Sequence, residues 1–213
     1  MPSEKWLCTS MGFQAPSNAI LFNEDWNTLS PIAKLPFINH SDSLHGLGKE
    51  IYRYKATLKD LGVIVEAELG YRFVISGLNI PNDPSVMSKD TVLALLKCIS
   101  KSFQTTSELP EDFKKKINKE WLKTTMGYRC PDKCVLFDPD NSFICREDGP
   151  FIDDEFYGSE IAAFKDVLGK IGAVVNIKCG HELVAQHLRS HKDPVTISRI
   201  YMYLVECKWC TQD

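Results

Sequence analysis

The stretch WLKTTMGYRCPDKCVLF, residues 121–137, is the best guide to the architecture because the chain contains a second, closely similar stretch. An earlier copy, WLCTSMGFQAPSNAILF, occupies residues 6–22. The two copies share their Trp, Leu, Thr, Met, Gly, aromatic, Pro and closing Leu-Phe positions at an offset of 115 residues. Internal similarity of this kind constrains the architecture before any single motif is considered.

The similarity continues through most of the chain. Further matching segments follow in the same order: LPFI (35–38) with GPFI (149–152), KEIYRYKATLKDLGVIVEAELGYRFV (49–74) with SEIAAFKDVLGKIGAVVNIKCGHELV (159–184), Asp83-Pro84 with Asp193-Pro194, and Ser88 with Ser198. The offset falls to 110 along the way, as expected where insertions lie in loops. The sequence therefore predicts a tandem duplication.

We predict an α+β fold in which each copy, a unit of about 100 residues, packs a small sheet against its helices. The first module would span 1–104 and the second 121–213, joined by a helical linker at 105–120. Strands are predicted in the apolar or β-branched runs at 19–22 and 63–67 and their counterparts at 134–137 and 173–177.

Helices are predicted at 49–61 and 159–171. The first places Ile51, Tyr54, Leu58 and Leu61 on one face. Gly62 and Gly172 follow these helices, where a glycine in the left-handed conformation commonly ends a helix. The polar stretches 23–34 and 138–148 are predicted loops.

Composition argues against several functional classes. The net charge of −3 and the pI of about 6.0 do not favour a nucleic-acid binder that depends on charge, so a chromatin-associated module is kept only as an alternative. No stretch approaches the roughly 18 apolar residues of a membrane span, and no membrane partner is expected. The N-terminal residues lack the apolar core of a signal peptide. The expected location is therefore the cytoplasm or nucleus, with the eight cysteines reduced.

Cysteine spacing raises the possibility of a zinc site, and with it a zinc-dependent enzyme as a less favoured alternative. Cys207 and Cys210 have the spacing of a metal-binding pair, and Cys130 and Cys134 could complete the ligand set. However, the first copy has Ala15 and Ala19 at the positions of Cys130 and Cys134. We therefore expect small core residues there, with no metal and no cofactor.

Catalytic patterns are weak. Three histidines, His181, His187 and His191, share one segment, but the first copy has Tyr71, Gly77 and Pro81 at their positions. Cys179 beside His181 has no identifiable orienting partner. The His45-Gly-Leu-Gly48 stretch lacks the other residues of a phosphate loop. We predict a non-catalytic protein.

The two variable loops are the predicted contact surfaces for a partner. The candidate contacts are Trp26 in loop 23–34 and four acidic residues in loop 138–148, namely Asp138, Asp140, Glu147 and Asp148. A buried loop anchor is the alternative interpretation of Trp26. The basic run 114–116 is interpreted as a solvated face. The repeated block with Trp6, Met11 and Phe13 is interpreted as architecture, because its apolar and turn positions agree between the copies.

The ordered pattern W-L-x-T-x-M-G-aromatic, then P, LF, PFI and a helix ending in L-G-V, resembles the repeats of plant sacsin-like proteins of the No vein type. FDP at 137–139 and PF at 150–151 are similar to the corresponding residues of animal sacsin repeats. The resemblance spans about 5–103 and 120–209. In that family such repeats accompany a gyrase/histidine-kinase/heat-shock-type ATPase domain, whose nucleotide-binding residues are missing from this sequence.

The resemblance implies a chaperone-related or scaffolding role, as a repeat pair from a larger protein or as a small relative. Together with the absence of catalytic patterns, it leads to the expectation of a tandem-repeat module for protein–protein interaction. The partner is expected to be another protein, of unknown identity.

Overall fold

The computed structural model describes residues 4–39, 47–106, 108–141 and 143–208. It has an α+β fold, with eight α-helices and two two-stranded sheets in the described residues. The chain divides into two compact units. The first comprises Met1–Pro81 and Lys97–Leu109, and the second comprises Asn82–Leu96 and Pro110–Asp213.

The first unit opens with a β-hairpin. Strands β1 (Leu7–Thr9) and β2 (Gly12–Gln14) are antiparallel, with Leu7 opposite Gln14 and Thr9 opposite Gly12. Gly12 has φ +85°, a conformation that glycine adopts at little cost. The Thr9 hydroxyl donates to Gly12 O at 2.7 Å and fixes the turn.

Short helices complete the first unit. Its 3-10 helices and α-helices follow in the order Pro16–Asn18 (3-10), Glu24–Thr28 (3-10), Lys49–Tyr54 (3-10), α1 Lys55–Asp60, Ala67–Leu69 (3-10), and α2 Tyr71–Gly77. α3 (Lys89–Thr105) contributes its later part to this unit and its earlier part to the second unit. The core gathers apolar residues of the hairpin, the bridging segments and the helices, among them Leu7, Ala19, Leu21, Ile38, Leu58 and Val65.

The second unit also combines a β-hairpin with short helices, and it has further helices before and after the hairpin. After Pro84–Val86 (3-10) and the start of α3, its elements are α4 Glu111–Ile117, β3 Leu122–Thr124, β4 Gly127–Arg129, Pro131–Lys133 (3-10), Arg146–Asp148 (3-10), α5 Asp154–Tyr157, Ser159–Phe164 (3-10), α6 Lys165–Lys170, Ile177–Cys179 (3-10), α7 His181–His187, Leu188–Ser190 (3-10) and α8 Pro194–Glu206. Its core includes Val135, Phe151, Val184, Ile200, Tyr203 and Leu204.

Isolated β-bridges occur at matching positions within each unit. Ile20 bridges both Phe37 and Ile64 in the first unit. Val135 bridges both Phe151 and Val174 in the second. The hairpin registers also agree, because Leu122 lies opposite Arg129 just as Leu7 lies opposite Gln14.

Several predicted elements differ from the structure. The runs predicted as strands at 19–22, 63–67, 134–137 and 173–177 form single bridges rather than strands. The sheet hydrogen bonding lies instead in the hairpins at the repeated block. Each run has one bridging residue, and those of the runs 19–22 and 134–137, Ile20 and Val135, pair on two sides. The apolar character of the runs reflects burial rather than an extended ladder.

The predicted helix 49–61 is a 3-10 helix followed by a short α-helix. This change of winding moves Tyr54 and Leu61 off the buried face, and both are exposed while Ile51 and Leu58 are buried. The prediction of a common apolar face is therefore wrong for two of its four residues. The left-handed conformation predicted for the two glycines is confirmed, with φ +96° at Gly62 and +108° at Gly172.

The predicted helical linker 105–120 contains one short helix in its described residues. α3 continues to Thr105, and α4 covers only Glu111–Ile117. Within the residues that the structure describes, no helix is long and apolar enough to cross a membrane.

Candidate functional site

Trp26 does not form part of the surface. It lies in the 3-10 helix Glu24–Thr28 and is fully buried. Its ring packs edge-on against Phe37, with centroids 5.9 Å apart, and fills the space above Gly70. The predicted partner contact is wrong for this residue, because the loop folds inward around the indole. Trp26 is a loop anchor.

Asp148 does not lie on the surface either, so the predicted partner contact is wrong for this residue too. The side chain is fully buried and is held by Arg199 of α8. One of its oxygens also accepts a hydrogen bond from Cys145 N at 2.7 Å. The carboxylate therefore joins the loop to a helix and is not available to a partner.

The remaining acidic candidates, Asp138, Asp140 and Glu147, are exposed. Asp138 and Asp140 line a cavity of about 260 Å³ whose wall also includes Lys178 and Glu206. Asp138 Oδ1 accepts a hydrogen bond from Asp140 N at 3.1 Å, so this carboxylate also shapes its own turn. Nothing in this geometry identifies a ligand.

The cysteine candidates differ in burial. Cys134 is fully buried, and its thiol donates to Cys130 O at 3.2 Å. Burial raises the pKa of the Cys130, Cys134 and Cys207 thiols and favours their neutral form. Cys210 lies outside the described residues. In the described part of the chain, no group of three or more His, Cys, Asp or Glu side chains is placed to hold a metal. The absence of zinc stays a prediction.

Cys179 and the three histidine candidates lie in the segment 179–191, which contains α7. His181 Nδ1 lies 3.0 Å from Lys178 O, and Cys179 is exposed. His187 has a lowered pKa because of burial and the nearby positive charges of Arg129 and His191. His45 lies outside the described residues, while Gly48 has φ +62° and begins a 3-10 helix.

The basic run 114–116 lies on α4. Lys114 pairs with Glu111 at 2.6 Å, and both side chains are largely in solvent. The structure thus places part of this run in a local ion pair on a helix surface, where it contributes little to the binding of a polyanion.

The feature that sequence reasoning missed is an apolar patch on the first hairpin. The exposed fractions of Trp6, Met11 and Phe13 are 47%, 52% and 50%. We call these three side chains the hairpin surface. Large apolar side chains grouped on one hairpin at this exposure are typical of interaction sites.

The corresponding residues of the second unit are covered. Trp121 is 0% exposed, and its indole N–H donates to Ile117 O of α4 at 2.7 Å. Met126 and Tyr128 are half-buried. Lys123 N of the second hairpin donates to the Tyr157 hydroxyl of α5 at 2.8 Å. The same hairpin is thus enclosed by helices in one unit and open in the other.

The sequence contained one signal of this difference. The residues of the hairpin block agree between the copies, so their identities could not separate a buried tryptophan from an exposed one. The apolar residues Phe113 and Ile117 ahead of Trp121, both buried, were the available indication that this tryptophan is covered.

Comparison of the chain with protein-family models, curated proteins and solved structures found no match.

Proposed function

We propose that the chain is a non-catalytic tandem-repeat module that binds another protein through the hairpin surface. The observation that carries this proposal is the contrast between Trp6, which is 47% exposed, and Trp121, which is 0% exposed. Both residues begin hairpins of the same register. The hairpin of the second unit has its tryptophan covered, whereas the hairpin of the first unit exposes Trp6 at the matching position.

We infer that the two units arose by tandem duplication. The recurring block, the shared hairpin register and the matching bridges of Ile20 and Val135 support this inference. The resemblance to sacsin-like repeats supports a scaffolding or chaperone-related role, which we place in the cytoplasm or nucleus. A duplicated unit that keeps its core and varies in surface burial is suited to such a role.

The hairpin surface has the chemistry of an interface core. Tryptophan is enriched among residues that dominate binding energy, and methionine adapts to different partner shapes. Burying the exposed half of three large side chains supplies several kcal/mol before the costs of association are subtracted. The partner therefore needs an apolar surface of its own.

Site-specific crosslinking tests the proposal. A photoreactive p-benzoylphenylalanine replaces Met11 in the purified protein, which is then irradiated in a plant extract. We expect discrete protein adducts that disappear when Trp6→Ser is added. The matched control carries the same group in place of Val86, which is 60% exposed and lies outside the hairpin.

Equal adducts from both positions, or adducts unaffected by Trp6→Ser, would reject the hairpin surface as an interaction site. Circular dichroism and the melting temperature confirm that each variant is folded. Salt-sensitive binding of DNA or RNA that persists with Trp6→Ser and is lost when residues 114–116 are neutralised would support the nucleic-acid alternative.

A further inference from the structure

Two phenylalanines at matching positions, Phe22 and Phe137, are packed in the same way in the two units. The Phe22 ring makes a T-shaped contact with Phe37, with the ring centroids 5.2 Å apart. The Phe137 ring makes a T-shaped contact with Phe151, with the centroids 5.4 Å apart. Because each ring is held by the same kind of neighbour, the remaining surroundings of the two rings can be compared directly.

In the second unit, a guanidinium group lies over the Phe137 ring. The guanidinium carbon of Arg146 is 5.1 Å from the ring centroid, within the distance at which an aromatic face attracts a cation. Asp154 of α5 binds the same group with two hydrogen bonds, from Nε to Oδ1 at 2.7 Å and from Nη2 to Oδ2 at 2.8 Å. Such two-pronged pairing orients the planar group as well as stabilising it. An aromatic ring and a carboxylate together therefore hold an arginine at this place.

In the first unit, the Phe22 ring lines a cavity of about 280 Å³. The apolar part of its lining includes the buried residues Leu21 and Val65, and Tyr52 adds a second aromatic ring. Sites for whole small molecules commonly have volumes of about 300–1,000 Å³. The cavity lies just below this range, so its size suits one side chain of a larger partner.

Glu24 and Lys55 are the charged residues of the cavity lining, and both are exposed. In the part of the chain that the structure describes, Glu24 forms no ion pair. Lys55 lies near a different carboxylate, that of Glu66, whose pKa is lowered chiefly by Lys59 and to a smaller extent by Lys55. The carboxylate at the cavity is thus the one that still lacks a cation.

Asn23 fixes the position of this carboxylate. Its side-chain amide donates to Val65 O at 3.1 Å, and its Oδ1 accepts a hydrogen bond from Asp25 N at 3.1 Å. These bonds join the start of the 3-10 helix Glu24–Thr28 to the apolar wall of the cavity. The carboxylate-bearing residue is therefore attached to a constrained backbone, which favours binding of one defined geometry.

We propose that this cavity binds an arginine side chain of a partner protein, with the guanidinium group against the Phe22 ring and paired with the Glu24 carboxylate. The Arg146 site of the second unit supports the proposal, because it uses the same two kinds of group around the matching ring. The net charge of −3 favours a basic partner, and arginine is among the residues that dominate binding at interfaces. The proposal adds a second site to the proposed function, and none of the cavity-lining residues belongs to the hairpin surface.

Methyl NMR spectroscopy with short peptides tests the proposal on the full chain. The probe is acetyl-Gly-Arg-Gly-amide, and the reference peptide carries citrulline, an uncharged analogue of similar shape, in place of arginine. The methyl resonances of Leu21 and Val65 report binding inside the cavity, because both residues are buried in its lining. We expect the arginine peptide to shift these resonances saturably, and the citrulline peptide to bind about fivefold more weakly because it cannot form the ion pair or the cation–π contact.

Three substitutions at exposed positions identify the charge that is recognised. Glu24→Gln should weaken binding of the arginine peptide about fivefold and remove most of its advantage over the citrulline peptide. The matched control, Asp25→Asn, removes the same charge one residue further on, outside the cavity lining, and should change the affinity by less than about twofold. Lys55→Gln removes a positive charge from the lining and should strengthen binding of the arginine peptide. Unchanged melting temperatures confirm that the variants are folded.

Other outcomes would overturn the arginine site. Equal affinities for the two peptides, or equal effects of Glu24→Gln and Asp25→Asn, would reject recognition of the guanidinium group. Weaker binding to Lys55→Gln would show that the cavity selects an anionic group. No shift at Leu21 and Val65 with millimolar peptide would reject the cavity as a binding site. None of these results bears on the hairpin surface, which the crosslinking at position 11 tests separately.

Discussion

Asp148 and Arg199 form a two-pronged ion pair between residues 51 positions apart in the chain. Arg199 Nε donates to Asp148 Oδ2 and Arg199 Nη2 to Oδ1, each at 2.6 Å. The Asp148 side chain is fully buried, and Arg199 is about one third exposed. The carboxylate also raises the pKa of the Arg199 guanidinium. The pair fixes the end of the acidic loop to α8.

Removal of this carboxylate should destabilise the second unit. Asp148→Ala leaves the guanidinium and Cys145 N without their acceptor, and we expect a loss of about 3 kcal/mol in the free energy of unfolding. Urea denaturation followed by circular dichroism measures it. Glu147→Ala removes an exposed neighbouring carboxylate and should change stability by less than about 0.5 kcal/mol. Equal effects of the two substitutions would contradict the structural role of the pair.

Gly172 should resist substitution for reasons of backbone conformation alone. At φ +108°, an added Cβ would meet only ordinary contacts, the nearest at 3.5 Å from Asp132. We expect Gly172→Ala to cost about 1–2 kcal/mol and Gly172→Val to cost more, because β-branched residues disfavour this region. Gly169→Ala, within α6, is the control and should cost nothing by this mechanism. A neutral Gly172→Ala would show that this turn relaxes easily.

Gly70 should be restricted by packing rather than by backbone conformation. A Cβ at this position would lie 2.2 Å from Trp26 Cη2. Gly70→Ala therefore has to displace the indole, and we expect a loss of about 1–3 kcal/mol. In a Trp26→Leu background the same substitution should cost less, since the obstructing ring is gone. A double-mutant cycle in urea measures the coupling, and additive effects would disprove the contact.

Thiol reactivity should follow burial. Burial raises the pKa of Cys98 to about 11, so roughly one thiol in a thousand is ionised at pH 8. Iodoacetamide should therefore modify the exposed Cys179 rapidly, and Cys98 and Cys134 slowly, in the native protein. Peptide mass spectrometry at timed intervals gives the individual rates. Rates that are equal before and after unfolding in urea would show that burial does not protect these thiols.

Acidification should destabilise the second unit through His187. Its pKa is lowered in the folded protein by burial and by Arg129 and His191, so below the unfolded pKa of about 6.5 the unfolded chain binds the proton more readily. The resulting loss of stability develops as the pH falls through that value and is absent at pH 8. Melting temperatures at pH 8 and pH 5.5 should differ less for His187→Gln than for the unaltered chain. An unchanged difference would assign the acid sensitivity to other groups.

The features that were predicted correctly depend on residues close together in the sequence. Gly62 and Gly172 follow short helices, and the requirement for a positive φ can be inferred from neighbouring residues. The α+β class follows from the mixture of apolar runs and helical periodicity. Burial of Trp26 could not be inferred in the same way, because it depends on Phe37 and Gly70, which lie outside loop 23–34.

Trp6 and Trp121 show a second feature that could not be predicted from the sequence. They stand in nearly the same local sequence and in hairpins of the same register, yet one is exposed and the other buried. The Trp121 indole donates a hydrogen bond to Ile117 O of α4, a segment outside the repeated block. Repetition thus indicated a common fold, and the same repetition concealed the surface that distinguishes the units.

Continuity of α3 has a practical consequence for dividing the protein. Its residues up to Leu96 belong to one compact unit and those from Lys97 to the other. No cut in the chain around this helix yields two complete pieces. A fragment starting at 105 or 121 would lose Val92 and Leu95 from the second unit, and a fragment ending at Pro81 would lose Ile99 from the first. Isolated halves are therefore poor reagents for mapping partners.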